Sequence, residues 1–386
     1  MTAESQTRAA HPPGSRTVRV PLGDRSYDIR IVHGDESGGF GPFAREALEA
    51  TRAGRSCRSA LVVTDSNVRA LAARHAEALA AQGIAAEVAV VPPGEGSKSL
   101  EQAAELLDRL IALRADRHSA VVAVGGGVVG DLAGFVASTY ARGIPLLMAP
   151  TTLLAQVDSS VGGKVGVNRP AAKNIVGAFH QPSGVWIDTR SLDTLPPREL
   201  RCGMAEVVKY GVILDPAFFE AVERAAAAVL ALDPAAVAPV VARCCELKAG
   251  VVSEDEREET GLRAVLNFGH TIGHAVEAVA GYGGPFQHGE AVAAGMVAES
   301  RLAERLGWID PGLTDRLSRL LRLLGLPTSA PGLDPRALIA AMTLDKKNAG
   351  GRIRFVLPRA LGSVELTDAP AEGDVRAVLD ELTAAD

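Results

Sequence analysis

The sequence is poor in several features that would define a protein class directly. Aromatic residues make up 4% of its 386 residues, and no apolar run approaches the length of a membrane span. Its four cysteines (Cys57, Cys202, Cys244 and Cys245) have no C-x-x-C spacing, which argues against a disulfide framework or a zinc knuckle. We therefore expect a protein of the reducing cytoplasm that does not enter a membrane.

A surplus of basic residues is also missing. The chain has 40 Lys and Arg against 46 Asp and Glu, for a net charge of −6. Nucleic-acid and anionic-membrane binders need a positive surface, so the balance argues against both as partners. An anionic ligand would have to be bound by a local cluster of basic side chains.

The pattern of the chain predicts a tail and two domains. Residues 1–16 are polar, lack the apolar core of a secretory signal and are expected to form a disordered tail. In residues 17–195, β-branched runs alternate with helical patterns, which predicts an α/β domain with a parallel sheet covered on both faces. Residues 196–386 indicate a mainly helical domain, with a short strand pair near 353–366 and a closing helix over 372–382.

A glycine turn marks a candidate nucleotide site. Gly125 to Asp131 directly follow the apolar run 120–124 and open a helical pattern, so backbone N–H groups could approach a pyrophosphate there; a tight strand–helix connection is the alternative. Polar residues follow other predicted strands, namely Asp65, the segment 92–98, and Thr151 with Thr152. Asp65 could accept a hydrogen bond from a ribose hydroxyl or simply cap a helix.

The middle of the chain contains lysines and a carboxylate in sequence contexts that are typical of ligand-binding sites. Lys164 lies in the glycine-rich segment 156–168 and is followed by Lys173, which favours contact with an anion over a solvated loop. Glu206 and Lys209 are three apart on a predicted helix that opens near Glu199. They could form a salt bridge, or Glu206 could bind a metal while Lys209 faces a substrate.

Three of the eight histidines fall within nineteen residues, at 270, 274 and 288. Two imidazoles with Glu206 and an open position would match a catalytic zinc site. If the helix is continuous, Arg263 and Asn267 lie on the same stripe as His270 and His274. The acidic run 254–259, taken alone, indicates a solvated face.

Five segments in this order resemble 3-dehydroquinate synthases, within the sugar phosphate cyclases: 125–131, 150–164, 203–211, 266–274 and 288–290. The resemblance implies a Rossmann-like NAD-binding domain, an all-α metal- and substrate-binding domain, and an active site in the cleft. It implies a phosphorus–oxygen lyase of the shikimate pathway that converts 3-deoxy-D-arabino-heptulosonate 7-phosphate to 3-dehydroquinate and phosphate. NAD and zinc or cobalt would be cofactors, and the enzyme would be a homodimer.

The resemblance assigns residues to each ligand. Metal ligands would be Glu206, His270 and His288. NAD contacts would be Asp65, Asn67, Glu95, Lys98, Gly127, Val128, Val129, Gly130, Asp131, Thr151, Thr152, Lys164, Lys173 and Thr194. The substrate would be surrounded by Asp158, Lys164, Asn174, Lys209, Lys248, Arg263, Asn267, His274 and Lys347, with Lys346 as the alternative to Lys347.

Other activities share parts of this pattern. Cyclases that use an amino analogue or sedoheptulose 7-phosphate are alternatives, although sedoheptulose phosphate has no carboxylate for Arg263 to pair with. A metal-dependent alcohol dehydrogenase would have a similar two-domain scaffold but would release NADH stoichiometrically. A non-catalytic protein that senses the sugar phosphate is the last alternative.

Overall fold

The computed structural model describes residues 15–34, 38–50, 56–169, 172–281, 284–346 and 353–384. The expected N-terminal tail lies outside these ranges except for Ser15 and Arg16, and Arg16 already begins the first strand. Lys347 also lies outside the described residues.

The strands in the described residues are β1 (Arg16–Val20), β2 (Tyr27–Val32), β3 (Ser59–Asp65), β4 (Ala85–Val91), β5 (Ala120–Gly125), β6 (Leu146–Pro150), β7 (Lys164–Arg169), β8 (Ala172–Phe179), β9 (Gly184–Asp188), β10 (Phe355–Ala360) and β11 (Ser363–Thr367). Seven of them form one sheet in the order β1-β2-β9-β6-β5-β3-β4, and two separate hairpins are formed by β7–β8 and β10–β11.

The sheet is parallel from β2 to β4, as predicted, but β1 pairs antiparallel with β2 at one edge. The predicted parallel sheet is thus confirmed, with one antiparallel strand added at its edge. A short connection of six residues joins β1 to β2, and such a connection can link only antiparallel neighbours.

The part of the chain that the structure describes also contains twelve α-helices. They are α1 (Phe40–Ala50), α2 (Arg69–Ala81), α3 (Leu100–Ala112), α4 (Gly127–Thr139), α5 (Pro197–Leu214), α6 (Pro216–Leu230), α7 (Pro234–Glu254), α8 (His270–Ala280), α9 (His288–Arg305), α10 (Pro311–Leu323), α11 (Pro335–Lys346) and α12 (Glu372–Thr383). Among the residues described, no helix combines the length and the apolar character needed to cross a membrane.

Alternate residues of the central strands enter two different cores. On β3, Val62 packs with α1 and α2, whereas Leu61 and Val63 join a larger core that includes α3 and α4. Side chains on a strand alternate between the two faces of the sheet, and here helices cover both faces. Successive positions are therefore apolar, and the strands appear in the sequence as continuous apolar runs. The larger core continues into α5, α6, α7 and α9, so the helical half packs directly on the sheet half.

The helical half begins at α5, two residues before the Glu199 start indicated by the sequence, with Pro197 at its first turn. The late strand pair and the closing helix are both present, as β10–β11 and α12. The segment 156–168, in contrast, is not a plain loop. It contains a π-helical turn over Ala155–Ser159 and the strand β7, whose Val165 and Val167 are buried.

Candidate active site

The parallel strands bring their carboxyl ends to one edge of the sheet, because β9, β6, β5, β3 and β4 are neighbours and run the same way. Asp65 ends β3, Gly125 ends β5, and Thr151 follows β6. Thr194 ends a 3-10 helix (Thr189–Thr194) that follows β9. Asp65 and Thr151, predicted from distant parts of the sequence to bind NAD, therefore lie at the same edge.

The glycine turn has the close approaches that a nucleotide cradle needs. A Cβ atom on Gly126 would lie 3.0 Å from the Thr152 methyl group, and one on Gly127 would lie 3.1 Å from Ser159 Oγ. Gly127 opens α4, so the first N–H groups of this helix face the edge of the sheet. Val129 is buried in the core and could offer a ligand only its backbone.

Asp65 is already engaged as a cap. Its Oδ1 accepts the N–H of Asn67 at 2.8 Å and thereby caps the 3-10 helix Ser66–Val68. The alternative interpretation of Asp65 as an N-cap is thus observed. The same position at the end of β3 leaves the side chain partly exposed at the sheet edge.

A polar network joins the loop after β4 to the β7–β8 hairpin. Lys98 is buried, and its Nζ lies 2.5 Å from both Asp131 Oδ2 and Asn174 Oδ1. Asn168 donates to Glu95 at 2.7 Å and accepts the N–H of Asn174 at 3.1 Å. Burial raises the pKa of Asp131, and Lys98 opposes that rise. The network holds predicted NAD and substrate residues in one unit.

Glu206, His270 and His288 form a cluster that can hold a metal ion. Glu206 Oε1 lies 3.4 Å from His270 Nε2 and 3.7 Å from His288 Nε2. Ligand atoms that are each about 2.0–2.2 Å from a tetrahedral ion lie about 3.3–3.6 Å apart. The three atoms are thus spaced for a shared cation.

The buried carboxylate of Glu206 is otherwise poorly satisfied. It is 1% exposed, and neither oxygen makes a hydrogen bond of normal geometry with the described residues, although Lys209 is in ionic contact with one of them. A buried carboxylate without such bonds is costly unless a cation neutralises it. Lys209 neutralises the side of Oε2, so Oε1, which faces the two imidazoles, is the oxygen that fits a metal ligand.

The pKa values around this cluster follow from its charges. Burial would raise the pKa of Glu206, but Lys209 and His270 hold it well below its usual value. Burial and Lys209 lower the pKa of His270, so its imidazole is neutral. Burial acts to lower the pKa of His288, but Glu206 and Glu277 on either side raise it to about 10. A bound cation would take the place of that proton.

His270 and His274 do share one face of α8, with ring centroids 5.3 Å apart. The condition for a common stripe with Arg263 and Asn267, one continuous helix, is not met. Leu262–Asn267 is a separate 3-10 helix, and Gly269 adopts the left-handed φ of +79° before α8 begins. Residues 263 and 267 therefore lie on a different element from the two histidines, and glycine permits the backbone conformation that separates the two helices.

A second buried network lies beside the metal cluster. Lys248 Nζ lies 2.7 Å from Asp158 Oδ1, and Tyr210 donates its hydroxyl to the same oxygen at 2.7 Å. Burial would raise the pKa of Asp158, but Lys248 and Lys209 lower it to about 2. Burial lowers the pKa of Lys248, with Asp158 opposing. Tyr210 lies in segment 203–211, one of the five that carry the resemblance, but nothing in the sequence spacing indicated its contact with Asp158.

The acidic run 254–259 is solvated only in part: residues 254 and 257–259 are exposed, as expected, whereas Glu256 is half-buried and Asp255 is buried. Glu256 binds Arg25 at 2.6 Å and Gln181 at 3.0 Å, and Glu258 is in ionic contact with Lys164. Asp255 is buried and accepts three backbone N–H groups of its own loop. The run therefore docks the helical half onto the sheet half, which sequence spacing could not reveal because the partners are distant in the chain.

Arg263 is buried among backbone carbonyls. It donates to Glu256 O at 2.7 Å and to Gly162 O at 3.1 Å, while its guanidinium lies 5.8 Å from the Phe179 ring centre. Asn267 is exposed at the end of its 3-10 helix. Lys173 lies 3.5 Å from Glu277, and Lys346 ends α11.

Two family models match adjacent parts of the chain. The 3-dehydroquinate synthase N-terminal model matches residues 88–202, and the C-terminal model of the same enzyme matches residues 203–348. A 3-dehydroquinate synthase from Desulforamulus reducens is 49% identical over 369 residues, covering 95% of this chain and 99% of the relative.

Solved cyclases have the same fold. A 2-deoxy-scyllo-inosose synthase complexed with carbaglucose-6-phosphate, NAD+ and Co2+ has a TM-score of 0.82 and 28% identity, covering 95% of this chain and 100% of that one. A 2-epi-5-epi-valiolone synthase from Streptomyces hygroscopicus with NAD+ and Zn2+ bound has a TM-score of 0.80 and 30% identity, covering 92% of this chain and 96% of that one. With its site geometry and its near full-length relatives, the chain belongs to the 3-dehydroquinate synthase family.

Proposed function

We propose that this protein is a 3-dehydroquinate synthase that converts 3-deoxy-D-arabino-heptulosonate 7-phosphate to 3-dehydroquinate and phosphate, as a phosphorus–oxygen lyase. The observation that carries the proposal is the pairing of a Glu206–His270–His288 cluster with buried cations beside it at Lys209, Lys248 and Arg263. A substrate that bears both a carboxylate and a phosphate matches this combination.

NAD and a divalent ion, zinc or cobalt, fit the residues present. The glycine turn at the start of α4 and the network of Lys98 with Asp131 would hold NAD, while the orphaned Glu206 and the two imidazoles would hold the ion. When bound, NAD accepts and later returns a hydride, and the ion lowers the pKa of the hydroxyl that is oxidised.

The remaining residues bind the two anionic ends of the substrate. Lys248 and Arg263 would hold the carboxylate, and Asn267 lies at the end of the same 3-10 helix as Arg263. Lys164 would give up its ionic contact with Glu258 and bind the substrate phosphate instead. Phosphate would also be held by Asn174, His274 and Lys347, or by Lys346 in place of Lys347. Such charge-assisted hydrogen bonds are about twice as strong as neutral ones.

Proton handling falls to His274 and the leaving group. Burial and the rings of His270 and His288 lower the pKa of His274 to about 3, so its imidazole is neutral, and it would accept a proton only when an anionic phosphate bound beside it raises that pKa. The leaving phosphate can itself take the neighbouring C–H proton once that position has been acidified. Ring opening and the final aldol closure then need mainly one held conformer in a closed cleft.

The buried cations also favour this substrate over the alternatives. Arg263 is 2% exposed and Lys248 5% exposed, so a carboxylate on the substrate would pair with cations that are already positioned, in place of their present contacts with backbone carbonyls and with Asp158. Sedoheptulose 7-phosphate has no such group, whereas the amino analogue keeps it and stays the second candidate. The proposal includes a homodimer in the cytoplasm, in keeping with a chain in which Cys202, Cys244 and Cys245 form no disulfide within the described residues.

The activity is tested by incubating metal-replete protein with catalytic NAD and the heptulosonate phosphate while phosphate release is followed. We expect phosphate in excess of NAD and no accumulation of NADH. NADH formed in step with product would instead indicate an alcohol dehydrogenase. Absence of phosphate with this substrate, but release with the amino analogue, would assign the second candidate.

The metal assignment is tested separately with His270→Ala. Loss of one of three ligands should abolish zinc retention after gel filtration, while NAD binding, measured by calorimetry, stays detectable because the glycine turn is on another element. Retained zinc at the wild-type level would refute the assignment of His270.

A further inference from the structure

Glu277 lies at the edge of the metal cluster without a role in the reaction described above. It is three residues after His274 on α8 and is 9% exposed. Its Oε2 lies 2.9 Å from His288 Nδ1, on the side of the ring opposite to the nitrogen that faces Glu206. One imidazole thus stands between two carboxylates.

The two ring nitrogens of His288 have different partners. Nε2 is 3.7 Å from Glu206 Oε1, a separation suited to a shared ion, whereas Nδ1 is at hydrogen-bond distance from Glu277. A metal-bound imidazole usually donates its other N–H to a carboxylate, which fixes the tautomer and the ring orientation. The geometry at His288 has this form.

Glu277 could also be taken for a ligand, because His274, Glu277 and His288 have donor atoms close enough to hold an ion. Its oxygens are already occupied, however. Oε2 faces His288, and Oε1 lies 3.5 Å from the ammonium group of Lys173 on β8.

We infer that Glu277 is a positioning residue: it accepts the Nδ1 proton of His288, presents Nε2 of that ring to the ion shared with Glu206, and ties Lys173 of the β7–β8 hairpin to the same point. This inference rests on the proposed metal assignment. It adds a residue that the sequence did not single out, and it connects the sheet half of the protein to the metal cluster.

The test measures metal affinity rather than turnover. The full-length protein is stripped with a chelator, and Zn²⁺ is titrated in competition with a chromophoric chelator. We expect Glu277→Gln to weaken Zn²⁺ binding by about 10–100-fold, the usual effect of losing such a partner. A far-UV circular dichroism spectrum like that of the wild type, recorded on the same sample, shows that the variant is folded.

Two further variants separate the possible outcomes. Glu304→Gln, on the same helix as His288 but away from the cluster, should bind Zn²⁺ like the wild type. Glu206→Gln should lose tight binding. If Glu206→Gln still binds while Glu277→Gln does not, Glu277 is a ligand and the inference is wrong. Unchanged affinity in Glu277→Gln also overturns it, whereas a wild type that binds no Zn²⁺ refutes the proposed metal site itself.

Discussion

The ammonium group of Lys248 is held twice by Asp158, once by its carboxylate at 2.7 Å and once by its main-chain carbonyl at 2.8 Å. Lys248 lies on α7 of the helical half, whereas Asp158 lies in the π-helical turn of the sheet half. Without substrate, this contact joins the two halves beside the metal cluster. In the proposed function, it would also keep a cation in place for the substrate carboxylate.

Lys248→Met should destabilise the protein by about 3 kcal/mol, because removal of one partner leaves an uncompensated carboxylate in a largely buried place. The free energy of unfolding in urea at pH 7 measures the effect. Arg243→Met is the matched control: Arg243 also pairs with a carboxylate, Asp215, at 2.7 Å, but is 43% exposed, so its loss should cost below about 1 kcal/mol. Equal costs in the two variants would contradict the prediction.

Tyr210→Phe should lower the free energy of unfolding by about 1.5–3 kcal/mol. The buried hydroxyl donates to the charged Asp158 at 2.7 Å, and hydrogen bonds to charged groups contribute in this range. Tyr140→Phe is a control in which the hydroxyl donates to a neutral carbonyl, Ala115 O, at 2.8 Å. Its cost should be about 0.5–1.5 kcal/mol, and a larger loss in the control would count against a charged acceptor at Tyr210.

Gly295→Ala should separate α8 from α9 and weaken metal binding. A Cβ atom at this position would lie 2.1 Å from Gly269 O, so the helices that carry His270 and His288 could not keep their distance. We expect a loss of about 1–3 kcal/mol in unfolding free energy, together with weaker Zn²⁺ binding in the chelator competition assay.

A second glycine provides the control for this change. Gly250→Ala on α7 meets nothing within 4 Å and should stabilise the protein by about 0.5–1 kcal/mol through helix propensity. Destabilisation at both positions would show that the helical half tolerates no methyl group at all, and the close approach of α8 and α9 would then not be the cause.

Asp255 should make stability depend on pH in the acid range. Backbone N–H donors, the first of them from Arg263, lower its pKa to about 2 in the folded protein, below the unfolded value of about 3.9. Its stabilising effect is therefore present above about pH 4 and is lost as the pH falls towards 2. Asp255→Asn should lower Tm more at pH 6 than at pH 3. A Tm difference that grows on acidification would contradict the prediction.

Much of the fold could be predicted because local pattern and burial agree there. The β-branched runs at β3 and β5 are continuous since both faces of those strands are covered, and the glycine turn after β5 does open α4. The edge strand β1 and the β7–β8 hairpin were missed. Their pairing depends on neighbours that no local pattern identifies, and strand direction is not encoded in side-chain alternation.

Within the site, the sequence identified the residues that contribute chemistry better than the residues that hold them. His270 and His274 were correctly placed on one helical face, because a spacing of four fixes it. The continuous stripe from Arg263 failed at one left-handed glycine, Gly269. Tyr210 contacts Asp158, and Glu258 contacts Lys164, each from another structural element. Only the tertiary packing revealed these two contacts.

The sequence by itself determined the family, the alternation of strands and helices, and the chemical types gathered for a metal, a nucleotide and an anion. Residue spacing fixes such features, since helix and strand periods are properties of the backbone. Only the tertiary structure decided which nitrogen of His288 faces Glu206 and which faces Glu277, and that the acidic loop docks on Lys164. These choices depend on the distance and direction between groups that folding brings together from distant parts of the chain.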